Sequence, residues 1–567
     1  AQRDVDKILA ANLLWVKKQT RLAARFLSIF KGKNNMRLSV KKTAWAVLTA
    51  ITLANTAWAG GTLVHCSEAS PTGFDPAQSL SGTDFDAGSR AIFDTLLAYK
   101  LGTTELVPNL AEKWTISPDG KTYTFYLRPN VPFHSNDFFK PKRTLQAEDV
   151  VFSFGRMIQN THPSNQLYPA TYPYVSSTGL DKNILSIKKI DDLTVEFKLK
   201  EVDAPFLSKI TIPFAVIHSV EYAQQLARAG RLAELNQKPI GTGPFVFGSY
   251  IKDETIRYNA NRAYWNADAV KLDKLIFAIT KDSAVRVQKL KKGDCDLIAA
   301  PNPADLAELK KEPNLKIDTG ESLNTLYVAY NTQKAEFKKL EVRQALDMAI
   351  NRAAILDAVY LGAAKTATLP YPAFLWSHNT AIKNAPTNLT QARALLAKAG
   401  YPNGFETDLW VLTSNPTRKL AAELIQADWA KIGVKANLVT FEWGEFLKRL
   451  KQGEHPTTLM SWIATYADPD NFLGNGLSCK AVGGVNFAQY CSPAFEALIV
   501  KATQTNDLAE RVKLYQQAQV IFKHDLPWTT LAHAAVNQPM QKSVQGFKVG
   551  AFGEYNFRYV SKITAAP

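Results

Sequence analysis

A chain of 567 residues is too long for one compact core and implies two or more lobes. With 46% hydrophobic and 21% charged residues its composition is that of an ordinary globular protein, which excludes a disordered or polytopic chain. The formal net charge of +16 invites a nucleic-acid reading, but residues 1–59 hold 11 Lys and Arg against 2 Asp and Glu. The remainder carries 56 against 49, scattered without a basic run, so the surplus reads as a solvated surface.

From Met36 the chain shows a basic segment (Arg37, Lys41, Lys42), an apolar run over residues 43–54 and a small-x-small site at Ala57-Trp58-Ala59. Residues 36–59 are therefore expected to be a secretory signal peptide cut before Gly60. Residues 1–35, basic and amphipathic, are set aside as an upstream extension outside the fold, a mis-called start or an unusual leader. No later stretch reaches about 18 uninterrupted apolar residues, the length of a membrane span. Cys66 would suit a lipoprotein only if cleavage fell beside it, and His65 is the wrong neighbour, so a soluble exported protein is expected.

Four cysteines, Cys66, Cys295, Cys479 and Cys491, fall in the exported part. An even number in an oxidising compartment argues for two disulfides, with three connectivities open; the short spacing favours Cys479 with Cys491. A zinc site would need a CxxC or clustered His spacing that is absent from the sequence.

The elements follow in order. A strand begins at residues 61–63, and Ser81-Gly82-Thr83-Asp84 precedes a predicted helix over 87–97, with Ala91, Ile92, Leu96 and Leu97 at helical spacing. The amide groups at its start could hold an anion. Trp114 and Ile116 lead into a Pro118-Asp119-Gly120-Lys121 turn, after which Tyr123, Phe125 and Leu127 alternate with polar residues: a hairpin. Ala147-Glu148-Asp149 opens a helix bearing Val150, Val151 and Phe154. A second hairpin spans 187–199 about Asp191-Asp192, and residues 221–229 suit a helix. Pro239-Ile-Gly-Thr-Gly-Pro-Phe245 is a glycine turn entering a strand, and lacks the Lys-Ser/Thr of a phosphate loop. Gly293 caps a helix.

Around residues 319–324 the chain is expected to change lobe before a strand over 326–330 and a helix, lined by Val342, Ala345, Leu346, Ala349 and Ile350, that continues to about Tyr360. A helix over 387–399 closed by Gly400, a strand over 409–412, a helix over 418–432 ended by Gly433 and the alternating Val434, Ala436 and Leu438 form a β-α-β unit. Asp507 is placed to cap a helix over 508–523, and residues 544–560 hold short strand-like pieces.

No nucleophile elbow, HExxH, Walker A loop or Rossmann fingerprint stands at usable spacing, so no enzyme and no cofactor is expected. His134 is expected to pack or bond locally. The literal text of residues 110–154, LAEKWTISPDGKTYTFYLRPNVPFHSNDFFKPKRTLQAEDVVFSF, with the PIGTGPF turn, resembles the family 5 extracytoplasmic solute-binding proteins, receptors of ABC importers for dipeptides, oligopeptides, nickel and haem.

That resemblance implies an α/β, two-lobed periplasmic-binding-protein clamp, class II-like, with an extra subdomain in lobe I. Lobe I would take residues 60–320, with subdomain Ib at about 93–240; lobe II would take 321–537, and 538–567 would return to lobe I. It implies a periplasmic monomer that closes over a peptide or peptide-like solute and delivers it to an inner-membrane ABC permease. Receptors for haem or a saccharide are the alternative, and a secreted hydrolase a remote one. The contexts LVHCSE, KGDCDL, GLSCKA and QYCSP point to Cys66 with Cys295 and Cys479 with Cys491.

The same resemblance implies where the cleft contacts lie and where they are lost. Dipeptide-binding members hold the peptide carboxylate with an arginine before an Asn-Pro; here Thr413-Ser414 run straight into Asn415-Pro416. They hold the amine with an aspartate four positions before the Pro of DPDNF; here Thr465 stands there. Removing one partner of a buried ion pair costs about 3–5 kcal/mol, so a free dipeptide in the standard pose is expected to bind poorly. Arg418, Lys419 or Asp468 could substitute, and Trp443 matches a cleft tryptophan that offers a stacking face. The candidate ligand-binding residues are Ser81, Gly82, Thr83, Arg418, Trp443, Ala464, Thr465, Tyr466 and Asp468.

Overall fold

The computed structural model describes residues 60–79, 81–159, 161–412 and 416–563. The expected extension and leader, residues 1–59, and residues 413–415 lie outside the described residues. Among the described residues no helix is long and apolar enough to cross a membrane.

The signature segment folds as its alternation dictates. Ala111–Ile116 and Thr122–Leu127 pair antiparallel, with Trp114 opposite Phe125 and Ile116 opposite Tyr123. Tyr123, Phe125 and Leu127 are buried while Thr122, Thr124 and Tyr126 are half-buried, the period-2 pattern of a sheet packed on one face. The second hairpin, Ile184–Asp191 with Thr194–Leu199, completes a four-stranded antiparallel sheet. Helix Ala147–Ile158 packs on it, with Phe154 edge-on to Phe197. Asp149, wholly buried in the first turn of that helix, accepts the Gln146 N–H at 2.9 Å, the Val220 N–H at 2.9 Å and a two-point grip from Arg143. These bonds are what allow a carboxylate to sit in an apolar layer.

A mixed twelve-stranded sheet links the rest. One wing sets Thr62–Ser67 parallel to Lys274–Ile279; the other sets Glu406–Leu412 parallel to Lys435–Phe441 across helix Pro416–Ala430, the expected β-α-β unit. The 14-residue strand Trp528–Gln541 belongs to both wings. Its first part pairs with Asn324–Tyr330 and its later part with Leu315–Glu321. The chain also crosses between the wings at Ser322-Leu323, between those two partner strands. Separate apolar clusters flank the crossings, one around Phe74, Tyr258 and Phe277, another around Tyr327, Phe446 and Phe472.

Two helices differ from the sequence reading. The helix predicted over 87–97 instead occupies Gly82–Ile92, with a wide π-type turn over Phe85–Ser89, and Phe93 is extended. Its end is fixed from far along the chain: the Gly243 N–H donates to the Ile92 carbonyl at 2.8 Å, and a Cβ at Gly241 would come within 2.1 Å of that oxygen. The helix predicted to run on to Tyr360 stops at Ala349. Asn351 gives its N–H to Asp428 at 2.8 Å and its side chain caps a new turn at Ala354, so the axis restarts there. Asp507 caps Leu508–Asp525 as read, and Gly293, Gly400 and Gly433 all have the positive φ of helix-ending glycines.

Candidate functional site

A cavity of about 810 Å³ lies between the lobes. Its floor is made by the crossing segments, Ser322 and Asn324 with Ala534–Asn537. One wall carries Glu68, Asp86 and Glu554 together with Arg90 and Arg558, which pair with Asp86 and Asp94; the facing wall carries Arg418, Ser461, Ile463 and Thr465. Movement at the crossings therefore changes the distance between the walls.

The carboxylates of Glu68, Asp86 and Glu554 come together from three distant stretches. Glu68 follows the strand tied down by Cys66 and accepts the Thr83 hydroxyl at 2.8 Å. Asp86 sits in the wide turn, pairs with Arg90 at 2.6 Å and accepts the Tyr555 N–H at 3.1 Å. Glu554 accepts the Phe552 N–H at 3.0 Å. Burial pushes the Asp86 carboxyl up to about 7; Arg90 and the Tyr555 N–H oppose this, and the charges of Glu68 and Glu554 add to it. None of the three was singled out in the sequence. The one available signal was that Glu68 stands two residues beyond a disulfide cysteine.

On the facing wall Arg418, in the first turns of helix Pro416–Ala430, donates to Ser461 Oγ at 2.5 Å. Burial lowers its pKa while Tyr327 and Tyr360 work the other way. Aromatic rings also line the cavity: Tyr99 against Phe552 at 5.2 Å between ring centroids, and Phe85 against Tyr174 at 5.6 Å.

Of the candidate residues, Gly82, Arg418, Ala464 and Thr465 line the cavity. Ser81 and Thr83 stand beside it; the Ser81 N–H donates to Ser79 and Thr83 positions Glu68. Tyr466 is wholly buried and gives its hydroxyl to Asp470 at 2.9 Å. Asp468, only 3% exposed, is held by Arg511 at 2.8 Å and is not part of the cavity lining. Trp443 opens helix Trp443–Lys451, 49% exposed, beside Phe446 and likewise outside the cavity lining.

His134 bonds locally, its Nε2 to the Gly243 carbonyl at 2.9 Å, with burial pushing its pKa down to about 4. The disulfides join Cys66 to Cys295 and Cys479 to Cys491. Among the described residues no group of three or more His, Cys, Asp or Glu side chains is placed to hold a metal ion.

Comparison with known proteins agrees with this geometry. The model of the bacterial extracellular solute-binding proteins, family 5, matches residues 105–484. The chain is 50% identical over 503 residues to di/tripeptide-binding protein 1 of Pseudomonas aeruginosa, covering 88% of this chain and 94% of that protein. It is 42% identical over 504 residues to heme-binding protein A of Haemophilus influenzae, covering 88% and 92%. The fold superposes on the crystal structure of a dipeptide-binding protein from Pseudoalteromonas sp. SM9913 in complex with Met-Leu with a TM-score of 0.78, at 35% identity, covering 88% of this chain and all of that one. A two-lobed α/β clamp with an interlobe cavity, matched across most of its length, makes this chain a member of the bacterial extracellular solute-binding proteins, family 5.

Proposed function

We propose that the protein is the exported substrate-binding subunit of an ABC importer, that it captures a short peptide between its lobes, and that it releases the peptide to an inner-membrane permease. The observation that carries this reading is the charge layout of the cavity: on one wall Arg90 and Arg558 are tied to Asp86 and Asp94, which leaves the carboxylates of Glu68 and Glu554 without an ion pair among the described residues, and the Arg418 guanidinium stands on the other wall. A peptide lying across the cleft would set its amine toward the acids and its carboxylate toward Arg418, with side chains on the aromatic surface between. That pose replaces the two anchors missing at residues 413–415 and at Thr465. Gly82, Ala464 and Thr465 would border the backbone; Thr83 would act through Glu68.

Support comes from relatives whose names record binding of di- and tripeptides and from the Met-Leu complex. We further propose cleavage before Gly60, with Cys66 kept in its disulfide and not lipidated, and passage of cargo without chemical change. Titration calorimetry with free, N-acetylated and C-amidated dipeptides tests the reading. Arg418→Met should weaken free peptides about tenfold or more, the worth of a charge-assisted hydrogen bond, and leave amidated ones unchanged. Equal affinity for all three forms, insensitive to Arg418→Met, would remove it. The relative named for heme supports a second reading, in which the aromatic pairs take a planar ligand; a haem titration followed at the Soret band decides it.

A further inference from the structure

We infer that the lobes are latched to each other at one end of the cleft by contacts that need no cargo, with Tyr466 as the knob and Tyr99 as its clasp. The segment after strand Thr457–Ile463 belongs to the lobe that carries Arg418, and its neighbours Ala464 and Ala467 pack in that lobe's apolar cluster. Tyr466 turns the other way. Its ring, 0% exposed, lies in the cluster of the four-stranded sheet, the one that contains Tyr123, Phe206 and Ile210. The Ala467 N–H donates to Tyr99 Oη at 2.9 Å, and beside it the Ala204 N–H donates to the Thr503 carbonyl at 2.8 Å.

Behind these bonds lies a buried charged seam. Lys209 pairs with Asp203 at 2.9 Å on one side, and Arg511 pairs with Asp468 at 2.8 Å on the other. Asp470, which receives the Tyr466 hydroxyl, acts on both Asp203 and Lys209 across the boundary. Each pair is complete within its own lobe, so separation of the lobes breaks neither. What opening does break is the burial of the Tyr466 ring, the two hydrogen bonds given by the Ala467 and Ala204 N–H groups, and the attraction of Lys209 to Asp470; water compensates the hydrogen bonds and the charges but not the ring. Closure is thereby favoured before any ligand arrives. Because Tyr99, Thr211, Ala464 and Thr465 border the cavity at this end, a latched cleft admits cargo only after it springs open.

Single-molecule energy transfer between dyes on Lys188→Cys and Glu423→Cys, both exposed, reads the lobe separation in protein stripped of cargo. The result does not depend on which solute is bound in the cell, so its failure is separate from failure of the peptide reading. The cargo-free protein should populate mainly the short-distance state. Tyr99→Phe should lower the closed-to-open ratio about three- to tenfold, the worth of one hydrogen bond, and Tyr466→Ala should lower it further. If Tyr466→Ala does not fold, judged by circular dichroism, Tyr99→Phe decides alone. A cargo-free protein that is already mostly open, or a ratio unmoved by Tyr99→Phe, overturns the inference.

Discussion

Asp86 is only 8% exposed and pairs with Arg90, but the charges of Glu68 and Glu554 also act on it. Its carboxyl rises from an ordinary 3.8 to about 7, so the folded protein holds a proton there that the unfolded chain has already lost. Stability must then fall as pH rises from about 4 to about 7, because over that window the native state binds more protons than the unfolded one. A rise of this size corresponds to roughly 4 kcal/mol. Other buried carboxyls raised by burial, Asp149, Asp203 and Asp468, slope the same way, so the test is a difference. Urea unfolding at pH 4.5 and 7.5 should show Asp86→Asn losing less stability between the two than the parent protein. A cationic cargo group brought to the wall lowers the Asp86 pKa, so binding near pH 7 should release protons, which calorimetry in buffers of different ionisation enthalpy measures. An equal pH slope in the variant, with no proton release, would mean that Asp86 is ionised throughout.

Local pattern and distant contact divide the elements between them. The hairpin of Trp114 and Phe125, the cap at Asp507 and the glycine helix ends were legible, because each is decided within a few residues by alternation, a side-chain acceptor or a positive φ. The end of the helix at Ile92 was not, because the glycine turn at Gly241 and Gly243 presses its backbone there; nor was the break after Ala349, which depends on Asp428. The meeting of Glu68, Asp86 and Glu554 was illegible for the same reason, three carboxylates brought together from separate stretches of chain. The family text pointed to Arg418, Ala464 and Thr465 at the cavity, but it could not show that Arg511 holds Asp468 aside. The turn itself yields a test. A methyl group at Gly243 would meet the Ile92 backbone at 2.5 Å, so Gly243→Ala should cost about 1–3 kcal/mol through forced backbone shifts, read as a lower thermal midpoint. Gly82→Ala, where an added Cβ meets nothing within 4 Å, is the control and should leave the midpoint where it is or raise it.

Two-lobed molecules commonly unfold in steps, but here both wings depend on one strand. Trp528–Gln541 lends Trp528–Ala532 to the wing that carries Arg418 and Ala535–Gln541 to the wing that carries Glu68, and Met540 also pairs with Leu297. Neither wing can lose this strand without opening the core of the other: Trp528 stacks on Tyr327 at 3.8 Å on one side, while Met540 is fully buried among Phe277 and Leu297 on the other. The residues that follow bring Phe547 and Phe557 back into that same first cluster. Scanning calorimetry of cargo-free protein with intact disulfides should therefore show one endotherm whose calorimetric and van't Hoff enthalpies agree. A peptide that binds should shift the whole transition upward by mass action without splitting it. Removing residues 528–567 should leave neither wing folded, seen as loss of the near-ultraviolet dichroism of Trp410 and Trp429 in one wing together with that of Tyr258 in the other. Two resolved endotherms, or a truncated chain that keeps one wing's signal, would show that the wings are independent and that the shared strand joins them without coupling them.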